Sequence, residues 1–401
     1  MAYTNHMPPS ELAPPADMPL SPTVKALGVV SLCTDLSSEM VYPITPIFLT
    51  TILGASPGAV GLIEGLAESL ASLLKLYSGY LSDRIGKRKP LTLWGYGLAA
   101  VSKPLIGAAG AWPTVFAARL LDRAGKGLRA APRDALIADN TSAGSRGRAF
   151  GFHRAMDTTG AVLGPLVGYL FLRLQPTHLR WIYYLAFVPA LVGFLVLWFA
   201  VREKVPMRSA TAVATPPRFA LSGLSPAYRR YLLAVGLFGI GNSSDAFLLL
   251  RARGMGVAAS DLLLLYALFN TVEALLGYAT GSLSDRIGRR PLIAAGWGVF
   301  AVVYLGFAVF AGAVAAWVLF LLYGFYYTLT QGSQKALAAD LSHPDRRGAE
   351  MGAFHLLNGI AALPASLLAG YLYAHVSPSA PFFVGAASAT VAVVVLLHSY
   401  R

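Results

Sequence analysis

Two carboxylates four residues apart, Asp35 and Glu39 in DLSSEMVYP, are the first residues in this chain whose spacing suggests chemistry. On a helix they share a face. In apolar surroundings, neighbouring carboxylates push one ionisation toward neutral pH, where a proton can be taken up and released. The same placing also suits a structural ion pair with a basic residue of another helix. Glu64 and Glu68 repeat the pattern, with Lys75 seven residues on, and here a salt bridge, an exposed mouth and transport chemistry are equally open. The basic counterpart is RLLDRAGKGLRAAPRD, residues 119–134. At about 100° per residue, Arg119, Asp122, Arg123, Lys126, Arg129 and Arg133 fall within roughly a 120° arc. His153, Arg154 and Asp157 make a third cluster. A histidine titrates near neutrality, so a proton relay stands beside a plain hydrogen bond. His153 and His355 are weak metal candidates, because no close ligand spacing joins them to other donors. The single charges Lys103 and Glu273 read as structural pairing partners.

The elements that must position these groups are membrane helices. Only 13% of the 401 residues are charged and 56% are hydrophobic, with a mean hydropathy of +0.58, against roughly a quarter charged in soluble chains. Runs such as 182–201 and 292–319 meet the length of a membrane-spanning helix. The alternating segments of an outer-membrane barrel are absent. Apolar stretches and their breaks predict an all-α membrane protein of twelve transmembrane helices, near 24–52, 57–81, 90–110, 113–137, 148–172 and 181–201, then 228–252, 261–283, 290–312, 314–340, 347–374 and 379–399. The net charge of +13 reflects basic loops, 83–89, 146–148, 202–230, 286–290 and 346–347, which follow even-numbered spans and place both termini in the cytoplasm. The single cysteine, Cys33, excludes an internal disulfide. Residues 1–22 read as a disordered cytoplasmic tail without signal-peptide character. Residues 23–201 form one six-helix bundle, 202–227 a cytoplasmic linker and 228–401 a second bundle.

The two halves repeat. GYLSDRIGKRKPL at 79–91 returns as GSLSDRIGRRPL at 281–292, ALIAD at 135–139 as ALAAD at 336–340, and SSE at 37–39 as SSD at 243–245. Asp245 is therefore the counterpart of Glu39. Such a duplication predicts two pseudo-symmetric bundles with a substrate path between them. By the same register Arg119, Asp122, Lys126, Arg129 and Arg133 answer to Phe320, Tyr323, Tyr327, Thr330 and Gln334. If both faces line the path, one wall is cationic and the other aromatic and neutral-polar, which suits an anionic or amphipathic substrate. Arg119 to Lys126 are expected on the cavity, and the charges below them at a gate or surface.

At this point the chain resembles the major facilitator superfamily over its whole length after the tail. The twice-occurring loop is similar to that family's gate motif, carried here by Gly79, Asp83, Arg84, Gly86 and Arg88 and by Asp285, Arg286 and Gly288. Arg119 sits where the resemblance implies a proton-coupling arginine. GAVLGPLVG at 160–168 is similar to the antiporter signature, and its Gly160, Gly164, Pro165 and Gly168 imply drug/proton-antiporter-like exporters. DRAGKGLRAAPRDALIAD with GFHRAMD resembles a bacterial exporter subfamily that includes nickel-resistance members. This chain ends LLHSYR without a histidine-rich tail, which weighs against a bare metal ion.

These readings converge on a proton-coupled antiporter exporting a small organic compound across the bacterial inner membrane. Proton coupling falls to Asp35, Glu39, Arg119 and Asp245. The substrate cavity falls to Arg123, Lys126, Glu64, Glu68, Asp157, Tyr323, Tyr327, Thr330 and Gln334. Export of a metal ion, metal chelate or siderophore is the alternative, and a non-transporting receptor comes third. An enzyme is not expected: GASPG at 54–58 matches a serine-hydrolase motif in letters only, between two spans. No cofactor is called for. The expected partners are a small-molecule substrate, protons and the lipid bilayer, with no nucleic acid, and a monomer is expected.

Overall fold

The computed structural model describes residues 19–142, 145–203, 224–343 and 347–398. Residues 1–18 of the expected tail, 204–223 of the expected linker and the loop residue Arg346 lie outside them. The described helices are α1 (Pro22–Val41), α2 (Thr45–Ile47, continuing as a π-helical turn Phe48–Ile52), α3 (Pro57–Ile85), α4 (Lys89–Ala108), α5 (Trp112–Asp139), α6 (Arg146–Leu174) and α7 (Trp181–Ala200). The second half has α8 (Pro226–Gly241), α9 (Ala246–Gly254), α10 (Ala259–Ile287), α11 (Arg289–Val309), α12 (Ala313–Leu341), α13 (Arg347–His375) and α14 (Ala380–His398). Taken with their breaks, they make twelve rods that match the expected spans.

Local chemistry sets the ends and breaks. Ser21, Ser56 and Ser225 each cap a helix whose first residue is proline, and each accepts a hydrogen bond from a first-turn amide. The first rod breaks after Val41, where Pro43 and Pro46 bring no amide hydrogen. The seventh breaks at its repeat counterpart, between Gly241 and Ala246, where Asn242, Ser243, Ser244 and Asp245 compete for the backbone. The sequence predicts one continuous span there, and the break is a difference with that cause.

Within the first half α1 packs on α6 and α7, and α5 on α3 and α4. Within the second, α11 packs on α12 and α14, α10 on α12, and α8 on α13 and α14. The halves meet where α3 lies on α13 and α6 on α10. These two seams are the same pairing seen from either half, as a duplicated chain requires. Small residues make the α3–α13 seam close: a β-carbon on Gly61 would stand 2.2 Å from the Ser366 carbonyl oxygen, and one on Gly359 2.3 Å from Ser72 Cβ. The first approach lies near the start of α3 and the second near the middle of both helices.

Among the described residues, eight helical stretches are apolar and long enough to cross a membrane by length and composition alone. The remaining rods, α1, α3, α4 and α5, are those that carry Asp35, Glu39, Glu64, Glu68, Lys103 and the 119–134 stripe.

Candidate functional site: a charged core, a carboxyl seam and a central cavity

The glycine ridge of α6 determines which side chains meet. A β-carbon on Gly160 would sit 2.5 Å from the Leu32 carbonyl oxygen, one on Gly164 2.5 Å from that of Leu36, and one on Gly168 3.1 Å from that of Met40. Backbone therefore lies on backbone over two turns, with Pro165 buried within the same stretch. Asp157, one turn before Gly160, is thereby set against α1. It accepts a hydrogen bond from Ser31 Oγ and lies within hydrogen-bonding reach of the Asp35 carboxyl. Asp35 thus meets a second carboxyl from another helix, besides the field of Glu39. Glu39 Oε2 is buried with no hydrogen-bond partner among the described residues, and the cations whose charge reaches it are Lys126, Arg123 and Lys103.

Next to this seam is a paired core. Arg119 donates Nε to Glu64 Oε1 at 3.0 Å and Nη2 to both Glu64 oxygens at 2.7 Å. Its Nη1 stands 3.5 Å from Asp122 Oδ2. Asp122 Oδ1 accepts from Lys103 Nζ at 2.8 Å and Ser102 Oγ at 3.4 Å. Glu64, Lys103, Arg119 and Asp122 are 6%, 2%, 4% and 7% exposed, so two acids and two bases neutralise one another out of contact with water. Lys103 is a structural partner, as the sequence predicts.

This geometry corrects the expected cationic wall. Arg119 and Asp122 point into their own bundle, and Arg129 is buried with its guanidinium 4.5 Å from the Tyr96 ring centre. Arg123 pairs loosely with Glu68 at 3.8 Å, and Arg133 with its neighbour Asp134 at 2.9 Å. Lys126 is the exposed member of the stripe. The reason is the α4–α5 crossing, where a β-carbon on Gly95 would lie 2.6 Å from the Gly125 carbonyl oxygen. With the backbones that close, the polar face of α5 turns to α3 and α4. The opposite face is corrected likewise. Phe320, Tyr323 and Thr330 are 1%, 1% and 2% exposed, and Thr330 bonds back to the Tyr326 carbonyl; Gln334 is half-buried, its backbone carbonyl accepting from Tyr231 Oη.

A cavity of about 760 Å³ lies between α6, α10 and α12, lined in part by Arg154, Thr158, Glu273, Thr280, Tyr327 and Gln331. Of the residues expected to line a substrate cavity, Tyr327 is in its lining, whereas Glu64, Asp157 and Tyr323 are engaged elsewhere. Arg154 bridges the halves to Glu273 at 2.7 Å and Gln331 at 3.3 Å, an element the sequence reading missed because the partner of a lone charge is set by tertiary packing. Deeper along the same seam Asn270 Nδ2 donates to the Ala161 carbonyl at 2.8 Å. Behind Tyr327, Asp245 accepts from Tyr323 Oη at 2.7 Å and from Tyr327 Oη at 3.4 Å.

The repeated loops are built alike. Arg88 stands 3.6 Å from Asp83 and 3.0 Å from Asp139, and Arg289 stands 2.5 Å from Asp285 and 3.2 Å from Asp340. Asp83 thus pairs with its own loop rather than across a gate, while Arg84 and Arg286 are exposed. Gly86 and Gly288 take φ of +71° and +93°, conformations glycine adopts without strain, and Gly79 lets α3 approach Ala131. Among the described residues no three His, Cys, Asp or Glu side chains converge as a metal ion needs. His153 is buried with Nε2 unpartnered, and His355 lies against the Phe354 ring at 5.3 Å.

A duplicated twelve-rod helical bundle with this loop in both halves is one architecture, and the family model described as Major Facilitator Superfamily matches residues 27–366. The chain belongs to that superfamily. It is a multi-pass membrane transporter and not an enzyme. The transporter is 36% identical over 389 residues, 95% of its length and 96% of the relative's, to an uncharacterized MFS-type transporter of Methanocaldococcus jannaschii. It is 30% identical over 169 residues, 41% of its length and 42% of the relative's, to the multidrug resistance protein MdtH of Photorhabdus laumondii. Its fold matches a crystal structure of the nucleoside transporter NupG with a TM-score of 0.79 at 12% identity, covering 94% of this chain and 100% of that one.

Proposed function

We propose that the transporter exports a small amphipathic organic compound in exchange for protons, and that the Asp35–Asp157 carboxyl pair carries the proton. The observation that supports this most is the α1–α6 seam. Two carboxyls within hydrogen-bonding reach of each other in a low-dielectric setting can share a single proton, and that shared proton is the exchangeable one in this reading. Loss of that proton would set two like charges against each other across a glycine-lined joint, which favours the conformation that separates or hydrates them. Arg119, held bidentately by Glu64, serves in this reading as fixed structure beside the coupling pair. The partial likeness to a multidrug resistance protein supports an organic cargo. The basic loops support a cytoplasmic-membrane location with both termini inside.

The test is flux in proteoliposomes with an imposed pH gradient. Asp35→Asn and Asp157→Asn are each expected to abolish gradient-driven efflux while leaving substrate exchange without a gradient intact. Gradient-driven efflux undiminished in both variants removes the pair from the mechanism.

A further inference from the structure

Asp245 stands out among the buried acids because no basic group answers it. It sits at the break between α8 and α9, its carboxylate held by Tyr323 and Tyr327, and among the described residues no Lys, Arg or His nitrogen lies within 4.0 Å of it. Its surroundings are rings: Phe269 packs on Tyr327 with centroids 4.8 Å apart and on Tyr323 at 5.6 Å, and Tyr266 joins Phe269 at 5.4 Å and Tyr42 at 5.3 Å. A carboxylate behind electron-rich ring faces is a receptor for an organic ammonium group, with charge and cation–π attraction acting together. Of this cluster Tyr327 also lines the cavity between α6, α10 and α12, so its hydroxyl ties Asp245 to that cavity.

The first half carries the complementary charge. Lys126 is exposed, with no carboxylate oxygen within 4.0 Å of its ammonium nitrogen among the described residues. Tyr42, at the end of α1, is reached by the fields of both Asp245 and Arg123, and Glu68 by those of Lys126 and Arg123. Among the described residues neither Asp245 nor Lys126 is held in an ion pair, although the fields of Glu68, Glu39 and Asp35 reach Lys126, and the groups between them, Tyr42 and Glu68, join the two charges across the halves. We infer that the substrate is a zwitterion, its ammonium end seated against Asp245 in the Tyr42–Phe269–Tyr327 cage and its anionic end drawn to Lys126. Such a ligand links the halves through one charge on each, whereas a simple anion leaves Asp245 unanswered. This deepens the substrate class of the proposed exporter and rests on that reading only for the central site.

Binding is read apart from transport, as thermal stabilisation of the purified full-length protein in detergent at neutral pH. The probes are matched triads that share a ring: tryptamine, indole-3-acetate and tryptophan, then tyramine, 4-hydroxyphenylacetate and tyrosine, with each amino acid also tested as its glycyl dipeptide. Zwitterions are expected to stabilise more than either singly charged partner. Asp245→Asn is expected to weaken the zwitterion on the order of tenfold or more, down to the level of the acid, and Lys126→Gln to weaken it toward that of the amine. Tyr327→Phe, which removes one hydroxyl and keeps the ring, provides a second variant if Asp245→Asn folds poorly, and a smaller loss is expected of it. Stabilisation by no zwitterion, or equal stabilisation by the acids with Asp245→Asn and Tyr327→Phe without effect, overturns the inference. Because no gradient is present, that outcome leaves the proton-coupling result unaffected.

Discussion

At the scale of single residues, the paired charges Glu64, Lys103, Arg119 and Asp122 are costly to strand, because each is buried. Glu64 and Arg119 answer each other through three contacts of 2.7–3.0 Å, and removing one member leaves a buried charge uncompensated. Arg119→Ala is expected to destabilise the protein by about 3–5 kcal/mol, read as a lowered unfolding temperature in detergent. The double variant Glu64→Gln/Arg119→Gln is expected to recover a large part of that loss, because neither charge is then stranded. Equal losses in the single and double variants would mean that the pairing is not what holds this site. Asp35 and Glu39 were legible as a same-face pair. That Asp35 meets Asp157 was not, since i, i+4 spacing fixes a face and says nothing of the helix opposite. The same limit explains Tyr323 and Thr330: the repeat register identifies their helix face correctly, yet that face packs inside its own bundle instead of lining the cavity.

At the scale of elements, the joint between α1 and α6 relies on the absence of side chains. Gly164→Ala puts a methyl group 2.5 Å from the Leu36 carbonyl oxygen, so the helices must separate. A loss of about 1–3 kcal/mol is expected, again seen as a lower unfolding temperature. Gly151→Ala on the same helix has open space for its methyl group and is the control expected to change little. Equal effects at both positions would show that helix propensity, and not the close approach, dominates. The glycine spacing in GAVLGPLVG made this ridge readable from sequence alone. The Gly95–Gly125 crossing was not read, because one glycine on each of two helices forms no periodic signal within either. The break of the seventh rod had a local cue in GNSSD, a polar run inside an apolar stretch.

At the scale of the molecule, the halves are bound along the close α3–α13 seam, while the cavity lies between α6, α10 and α12. A bulky residue in the tight part of the seam acts as a wedge. Gly61→Leu places its β-carbon 2.2 Å from the Ser366 carbonyl oxygen and is expected to bias the protein away from this arrangement. The readout is thiol labelling of Ala155→Cys, an exposed cavity residue, in a Cys33→Ala background: labelling should slow severalfold relative to the unwedged protein. Unchanged labelling would show that the seam yields without moving the halves.

The uneven placement of charge also bears on how the chain is made. In the second half each rod is apolar enough to enter a bilayer by itself. In the first half Glu64 on α3 has its partner on α5, and Lys103 on α4 has Asp122 on α5. Neither α3 nor α4 can settle in lipid with its charge answered until α5, which ends at Asp139, has left the ribosome. Early helices are therefore expected to stay near the insertion machinery until α5 arrives and to move into the bilayer with it. Insertion of this half is then expected to depend on α5, whereas insertion of the second half is not.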